Sequence, residues 1–443
     1  MRDLKIVHVG AGSFAWTPNL LANVFGSEPL RTSELVMFDL NPDPLELTHR
    51  LALKFKEASG FATTVTATTD QEAAFADADY VVVTITTGGL RAMAADLTIP
   101  ERYGITMTVG DTGGPCGLSR ALRGVPVYLQ MARAMERLCP QAWMLNCSNP
   151  LCALTRVVNK ETGIRALGVC HGVRNRVRML ADFFQCPLDR FHFINTGIDH
   201  CSWFTELTVD GRPAQDLLIE KGVQEWLKLP PAQAERDPVF GPIFGFRCGL
   251  MLWPLVGALP AMSDRHLTEF FPWFQRHDGI EQYGLVRTSV ADRQRGIAEG
   301  RARVERMLTG EEALPPLVGE RAMDNMAGWM IALSGGMTVE DNLNAPNTGQ
   351  VPQLPDGAIV ETRGVLDGAG AHCLTSPLTP PLEAILRPHV LREELTVEAA
   401  LEGSFEKALA VLALDPLLAD LTEARPLLEE LIGATREWLP QFA

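Results

Sequence analysis

Two short stretches of this chain end in side chains that can bind a transition metal. Cys170 and His171 follow an apolar run at residues 166–169, and His200 follows a second apolar run at 193–198. Both runs have the length and composition of buried strands. A cysteine thiolate and a histidine imidazole are good ligands for a divalent transition metal. Because ligands bind beyond the carboxyl ends of strands in open α/β sheets, we expect Cys170 and His200 to converge on one metal ion beside a cofactor.

Each of these two ligands also has a structural interpretation. Taken alone, Cys170 is explained as a buried thiol, and His200 as a hydrogen-bonded core histidine. Their positions at matched strand ends favour the metal site.

The N-terminal segment has the pattern of a dinucleotide-binding turn. A predicted strand at 4–9 runs into Gly10-Ala11-Gly12-Ser13-Phe14-Ala15, which matches G-x-G-x-x-G/A with alanine in the third place. Glycines there let the backbone turn tightly and approach a pyrophosphate at the N-terminus of the next helix. The motif alone is weak, because many glycine turns bind nothing. With the elements that follow, it predicts the cofactor-binding residues Gly10, Gly12, Ser13 and Phe14.

Two later strand ends support a cofactor. Asp39 ends a predicted strand at 35–38, where a carboxylate accepts hydrogen bonds from the adenosine ribose and favours NAD over NADP. The alternative for Asp39 is the N-cap of a helix predicted over 44–58. Thr87 and Gly88 follow a β-branched strand predicted over 80–86, in a loop suited to lie against the cofactor.

Strands and helices alternate in the first part of the chain, which predicts parallel βαβ units. A glycine-rich loop at 110–117 precedes a helix predicted over 119–138. We divide the chain into a Rossmann-like domain at 1–200 and an α+β domain at 201–443. The second domain has helical patterns at 213–227, 282–308, 321–333 and, interrupted by Pro416 and Pro426, at 395–431.

Composition limits the class of protein. The chain has 443 residues, of which 46% are hydrophobic and 21% charged, as in ordinary globular enzymes. The net charge of −15 argues against a nucleic-acid partner, because no basic stripe would neutralise phosphates. No stretch approaches the roughly 20 apolar residues that span a bilayer. The odd number of nine cysteines and the absence of an export signal predict a cytoplasmic protein without disulfides.

The ordered set of motifs resembles glycoside hydrolase family 4, the NAD- and metal-dependent glycosidases. The resemblance implies a Rossmann-like domain followed by an α+β domain similar to malate and lactate dehydrogenases. It also implies bound NAD, a divalent metal, preferably Mn2+, and a homodimer or homotetramer. It covers nearly the whole length, at residues 10–13, 88–89, 111–117, 146–150, 170–173, 197–200, 344–349 and 354–356.

The resemblance implies a redox cycle on the sugar. NAD+ takes a hydride from C3, a base removes the acidified C2 proton, and the metal stabilises the enediolate as a Lewis acid. The leaving group departs from C1, water adds, and the hydride returns. By family position Cys170 and His200 bind the metal, Asn149 and Asp111 bind the substrate, and His171 is the general acid. An orienting role for His171 is the alternative.

The proton acceptor departs from the family pattern. Several members use a tyrosine in the middle third, but none of this chain's four tyrosines, at 80, 103, 128 and 283, stands in the expected stretch. Asp264 and His266 are there instead, and we predict one of them as the base. Tyr283 is a third candidate.

The residues after Cys170 distinguish substrates within the family. Cys170-His171-Gly172-Val173 resembles the subgroup that acts on α-linked uronic acids, galacturonides or glucuronides. A uronate carboxylate favours a bidentate arginine, and Arg174 and Arg265 are the candidates, with exposed salt bridges as the alternative. Other possible functions are an α-glucosidase or α-galactosidase of the same family, an NAD-dependent 2-hydroxy-acid dehydrogenase, and a non-catalytic NAD sensor.

Overall fold

The structure is a computed structural model that describes residues 3–276, 278–319 and 325–442. Its strands are β1 (Lys5–Val9), β2 (Glu34–Phe38), β3 (Thr64–Thr68), β4 (Tyr80–Val83), β5 (Trp143–Asn146), β6 (Arg165–Gly168), β7 (Phe191–Ile198), β8 (Cys201–Val209), β9 (Arg212–Pro213), β10 (Leu259–Pro260), β11 (Val339–Pro346), β12 (Ile359–Asp367) and β13 (Gly370–Cys373).

Helices lie between and after these strands. They are α1 (Thr17–Val24), α2 (Pro42–Ser59), α3 (Gln71–Phe75), α4 (Gly89–Glu101), α5 (Gly114–Leu138), α6 (Leu151–Glu161), α7 (Gly172–Phe184), α8 (Ala214–Glu220), α9 (Val223–Leu227), α10 (Pro231–Ala234), α11 (Arg247–Val256), α12 (Asp264–Leu267), α13 (Pro272–Gln275), α14 (Gly279–Tyr283), α15 (Val290–Thr309), α16 (Met326–Leu333), α17 (Pro380–Glu402), α18 (Phe405–Ala413) and α19 (Ala424–Thr435).

The N-terminal strands form the parallel part of the larger sheet, in the order β6-β5-β4-β1-β2-β3. The strand order reverses between β1 and β4, which is where ligands bind in dinucleotide-binding folds. All four residues of β4 are buried, as expected of a parallel strand with helices on both faces. The predicted Rossmann-like α/β fold is therefore confirmed.

Three strands from the C-terminal half complete this sheet. β11 pairs antiparallel with β12 and with β6, and β12 pairs with β13. The contact with β6 joins Asn344 to Gly168, where a Cβ would stand 2.1 Å from Leu151 and 2.9 Å from the Asn344 side chain. The glycine thus allows the two halves to meet. The division at residue 200 stays a prediction.

The run at 193–198, which precedes His200, belongs to a smaller sheet. β7 and β8 form an antiparallel hairpin in which Ile198 pairs with Cys201, so that Asp199 and His200 are its two-residue turn. The predicted strand at 193–198 is therefore present, but it is not part of the open parallel sheet. Cys170 follows the parallel strand β6, and His200 reaches it from the hairpin.

Two predicted helix boundaries differ from those in the structure, and a glycine lies at each of them. The segment 110–117 is predicted as a loop, but α5 begins inside it at Gly114. The helix predicted over 213–227 is two helices, α8 and α9, because Gly222 between them has φ 93°.

Other helices are shorter than their patterns predict. The helix predicted over 282–308 begins only at Val290, where the preceding Ser289 caps the first turn. Residues 321–324 of the helix predicted over 321–333 lie outside the described residues. The pattern at 395–431 is divided among α17, α18 and α19. Among the helices of the described ranges, none is both long and apolar enough to cross a bilayer.

Candidate active site

A cavity of about 790 Å³ lies at the carboxyl ends of the parallel strands. The segments that line it directly follow β1, β4, β5 and β6, and the β7–β8 turn closes one side. Its lining residues include Ser13, Trp16, Thr86, Gly89, Asp111, Arg120, Ser148, Asn149, Cys170, His171, Arg176, Met179, Asp199, His200, Arg265, His266 and Arg293.

The glycine turn after β1 has the geometry of a dinucleotide cradle. Gly10 has φ 87°, and a Cβ there would stand 2.7 Å from the Thr84 carbonyl oxygen, so a side chain would not fit. Gly12 donates its N–H to Asp39 Oδ2 at 2.9 Å, and Asn41 donates to Asp39 Oδ1 at 2.9 Å. Asp39 therefore ties the turn to the end of β2. The N-cap of α2 is Asn41, not Asp39.

The other predicted cofactor residues surround the same turn. Ser13 lines the cavity, but Phe14 packs towards α15, where its ring lies 6.0 Å from the Arg301 guanidinium. Thr87 and Gly88 form the link from β4 to α4, and the flanking Thr86 and Gly89 line the cavity. The residues of this turn fit a dinucleotide.

Three potential metal donors meet between β6 and the hairpin. One ligand atom each of Cys170, Asp199 and His200 lies within 4.8 Å of the other two. His200 Nε2 lies 3.6 Å from Asp199 Oδ2. Burial and the Asp199 charge raise the pKa of the Cys170 thiol, so a nearby cation is needed for a thiolate. Sulfur, nitrogen and oxygen donors at this spacing fit a divalent transition metal.

Thr112 orients the His200 ring. The Thr112 hydroxyl lies 2.7 Å from His200 Nδ1 and donates to Asp111 Oδ1 at 3.2 Å. This arrangement places the ring proton on Nδ1 and turns the Nε2 lone pair towards Cys170 and Asp199. Second-shell partners of this kind orient metal-binding histidines. Thr112 lies within the motif at 111–117, but nothing in its residue type singles it out.

His266 and Asp111 face the other side of His200. The His200 and His266 rings stack with centroids 4.0 Å apart, and His266 Nδ1 lies 3.9 Å from Asp111 Oδ1. Burial lowers the pKa of His266 well below its usual value, so its imidazole is neutral and able to accept a proton. Burial would raise the pKa of Asp111, but His266 and His200 lower it overall, so Asp111 is ionised.

Asn149 lies beside Asp111 in the same cavity. Its Nδ2 donates to Asp111 Oδ2 at 3.4 Å, and its buried Oδ1 has no hydrogen-bond partner. A free amide oxygen next to a carboxylate suits a substrate hydroxyl. His171, at the N-terminus of α7, also lines the cavity, with its ring 6.1 Å from that of Trp16.

Asp264 lies outside the cavity lining. Its two carboxylate oxygens accept the backbone N–H groups of Cys248 at 2.7 Å and Gly249 at 2.8 Å, at the start of α11. The side chain is buried, and burial raises the pKa of its carboxyl. These bonds occupy Asp264 as an anchor of α11 and leave His266 as the candidate base that faces the cavity. Tyr283 is also outside the lining and packs against Phe274.

Of the two predicted arginines, only Arg265 lines the cavity. Arg174 forms an ion pair with Asp341 at 3.2 Å and is not part of the cavity lining, whereas Arg265 lines the cavity and is exposed. Arg176 also lines the cavity and is 5% exposed. Its guanidinium carbon lies 4.5 Å from the Phe246 ring centroid, and its Nε has no partner.

Two sequence profiles and several known proteins match most of this chain. A sequence profile described as Family 4 glycosyl hydrolase matches residues 5–185, and its C-terminal domain profile matches 195–418. An alpha-galacturonidase of Lachnoclostridium phytofermentans is 30% identical over 99% of this chain and 97% of that protein. An alpha-galactosidase of Rhizobium meliloti is 28% identical over 100% of this chain and 90% of that protein.

Solved structures share the fold. The crystal structure of lplD from Bacillus subtilis has a TM-score of 0.85 at 26% identity and covers 97% of this chain and 100% of its own. A 6-phospho-beta glucosidase from Thermotoga maritima, crystallised with manganese, NAD+ and glucose-6-phosphate, has a TM-score of 0.78 at 22% identity and covers 98% of this chain and 99% of its own. A malate dehydrogenase from Plasmodium falciparum has a TM-score of 0.50 at 14% identity, over 92% of this chain and 99% of its own, which agrees with the predicted fold likeness.

The chain belongs to glycoside hydrolase family 4, as the two profiles and the galacturonidase relative show. It is therefore a glycoside hydrolase, and the resemblance inferred from its motifs is confirmed. The predicted cofactors, NAD and a divalent metal such as Mn2+, are those crystallised with the Thermotoga relative.

Proposed function

We propose that this enzyme is an α-glycosidase of uronic acid glycosides, α-galacturonides in the first place, that works with bound NAD and a divalent metal. The observation that carries the proposal is the Arg176 guanidinium, which is buried in the cavity wall and forms no ion pair with a carboxylate of the described residues. The galacturonidase relative supports the same substrate class.

The surroundings of Arg176 explain why a carboxylate should bind there. Burying a charge is costly unless it is paired. Nη1 donates only to the Met179 sulfur, at 2.8 Å, and no carboxylate of the described residues forms an ion pair with Arg176. The charge of the nearby Asp264 acts on Arg176, but both Asp264 oxygens accept backbone N–H groups and neither accepts a guanidinium N–H. A uronate carboxylate would supply the missing partner in bidentate geometry.

Bound NAD and the divalent metal supply chemistry that side chains cannot supply. NAD accepts and returns a hydride at C3 of the sugar, and the metal acts as a Lewis acid where negative charge develops. Within this frame, Asn149 and Asp111 hold sugar hydroxyls. His266 takes the C2 proton, for which its neutral imidazole is suited. His171 donates a proton to the leaving oxygen.

A neutral α-galactoside is the alternative substrate, and the Rhizobium relative supports it. Methyl α-galacturonide and methyl α-galactoside differ only in the C6 group, so their kcat/KM ratio isolates the carboxylate. With NAD+ and Mn2+ present, we expect the ratio to favour the uronide by about 100-fold, as for one buried charge pair. A ratio at or below one would contradict the proposal and favour the galactosidase.

Oxidation of Cys170 should inactivate the enzyme. A sulfenic acid or disulfide cannot replace a thiolate ligand, so hydrogen peroxide should abolish Mn2+ binding in step with activity. Dithiothreitol should restore both. Mass spectrometry of the Cys170 peptide measures the modification, which should rise in step with the loss of Mn2+ binding. Full Mn2+ affinity in enzyme oxidised at Cys170 would argue against Cys170 as a ligand.

The assembly and the location of the protein stay predictions. We propose a homodimer or homotetramer in the cytoplasm, with no nucleic-acid or membrane partner. Light scattering coupled to gel filtration tests the first point, because a mass of one 48.5 kDa chain would contradict it.

A further inference from the structure

We propose that Asp199 is a third protein ligand of the metal, beside Cys170 and His200. The inference rests on the proposed function only in assuming that a divalent metal binds here. The sequence analysis predicts Cys170 and His200 as metal ligands, but it assigns no role to Asp199.

The backbone of the hairpin turn brings Asp199 and His200 to the same side. In an extended strand, consecutive side chains point to opposite faces. His200 has φ 67°, a left-handed conformation that a residue other than glycine adopts at an energetic cost. This conformation lets His200 Nε2 approach to 3.6 Å from Asp199 Oδ2, a separation suited to two ligands of one ion. Strained residues of this kind cluster at functional sites.

The Asp199 carboxylate contacts the two proposed ligands: the Cys170 thiol forms a hydrogen bond with it, and His200 Nε2 lies 3.6 Å from its Oδ2. The residue is fully buried, and neither of its oxygens accepts a hydrogen bond from an O–H or N–H group of the described residues. No lysine or arginine of the described ranges forms an ion pair with it. Asp199 lines the same cavity as Cys170, and one of its oxygens lies within 4.8 Å of ligand atoms of Cys170 and His200. A cation bound between these groups would compensate the charge of the buried carboxylate.

A second buried acid lies near Asp199. Glu361 on β12 is fully buried, and burial together with the Asp199 charge raises the pKa of its carboxyl to about 8. Its Oε1 accepts hydrogen bonds from Asn342 at 2.7 Å and Asn344 at 3.1 Å, whereas neither Asp199 oxygen accepts one from an N–H or O–H group of the described residues. A dication bound by one thiolate, one carboxylate and one imidazole would carry no net charge, which suits a buried site.

The donor set also bears on the choice of metal. Thiolate and imidazole suit softer ions such as Zn2+, whereas carboxylate oxygens suit Mn2+. A carboxylate ligand therefore favours binding of Mn2+, and its removal should increase the preference for Zn2+ over Mn2+.

The test compares Asp199→Asn with Glu361→Gln in the full-length protein. Each substitution replaces one buried carboxylate by an amide, but only the first removes a proposed ligand. We expect Asp199→Asn to weaken Mn2+ binding by more than about 100-fold, beyond the 10- to 100-fold effect of outer-shell partners, and to weaken Zn2+ binding less. The visible absorption of bound Co2+ should change in Asp199→Asn and stay that of the wild type in Glu361→Gln.

Wild-type Mn2+ affinity and an unchanged Co2+ spectrum in Asp199→Asn would overturn the proposal. If Asp199→Asn does not fold, infrared difference spectra of the wild type with and without metal replace it, with aspartate carboxylates labelled by 13C. A shifted aspartate carboxylate stretch supports the ligand, and no shift overturns it. None of these measurements uses a substrate. If these measurements identify Asp199 as a ligand but the enzyme does not cleave uronides, the proposed substrate is contradicted and the metal ligand is not.

Discussion

Replacing Arg176 by glutamine should remove the preference for uronides. Losing one partner of a buried charge pair costs about 2–5 kcal/mol, so kcat/KM for methyl α-galacturonide should fall roughly 30- to 4,000-fold. Methyl α-galactoside has no carboxylate at C6, and its kcat/KM should change by less than about threefold. Initial rates with both substrates, at saturating NAD+ and Mn2+, measure the change in their ratio.

Arg174→Gln is the matched control for this experiment. Arg174 lies two residues earlier in α7 and pairs with Asp341 instead of facing the cavity. The substitution removes the same charge from the same helix, and the ratio of the two kcat/KM values should stay that of the wild type. If Arg176→Gln reduced kcat/KM equally for both substrates, Arg176 would have a structural role. It would then no longer support a uronide as the substrate.

Replacing His266 by glutamine should block removal of the C2 proton. A positioned general base contributes roughly 100- to 10,000-fold, so kcat should fall by that factor. In D2O the wild type should release a sugar with deuterium at C2, and the variant should show deuterium exchange slowed by a similar factor. The variant should still bind Mn2+ and NAD+ with the wild-type affinities.

The pH dependence adds an independent check on His266. Burial lowers the pKa of His266, so the imidazole stays unprotonated to a pH below the usual histidine value. The acid limb of kcat/KM should therefore lie below about pH 6.5, the usual pKa of histidine, and it should disappear in His266→Gln. An acid limb that persists unchanged in the variant would assign proton removal to another group.

Asp264→Asn separates the two predicted bases. The wild-type carboxylate accepts two backbone N–H groups of α11, and an amide can donate in place of one acceptor. The variant should unfold at a lower temperature and yet exchange deuterium at C2 as the wild type does. Loss of exchange with unchanged stability would restore Asp264 as the base.

The fold and the metal pair could be predicted because they depend on local patterns. A glycine turn after an apolar strand, an acid at the end of the next strand, and alternating strands and helices define the parallel sheet. Cys170 directly follows one apolar run, and His200 lies two residues after the end of the other. The hairpin that carries His200 could not be placed, because an apolar run does not show which sheet it joins.

Arg176 and Asp199 could not be predicted because each depends on partners distant in the chain. Arg174 and Arg176 are two residues apart in α7, about 200° around the helix, so only one of them faces the cavity. The sequence does not show which. The nearby Asp264 forms no ion pair with Arg176, because its two oxygens accept backbone N–H groups of α11. Asp199 becomes a donor only because His200 adopts a left-handed backbone.

Hydrolysis of methyl α-galacturonide, with NAD+ and Mn2+ each added or withheld under reducing conditions, tests the central claim most directly. We predict that galacturonic acid appears only when both are present and that absorbance at the NADH wavelength does not rise, because the hydride returns in each turnover. Galacturonic acid released at the same rate without NAD+, or NADH accumulating in proportion to product, would contradict the account.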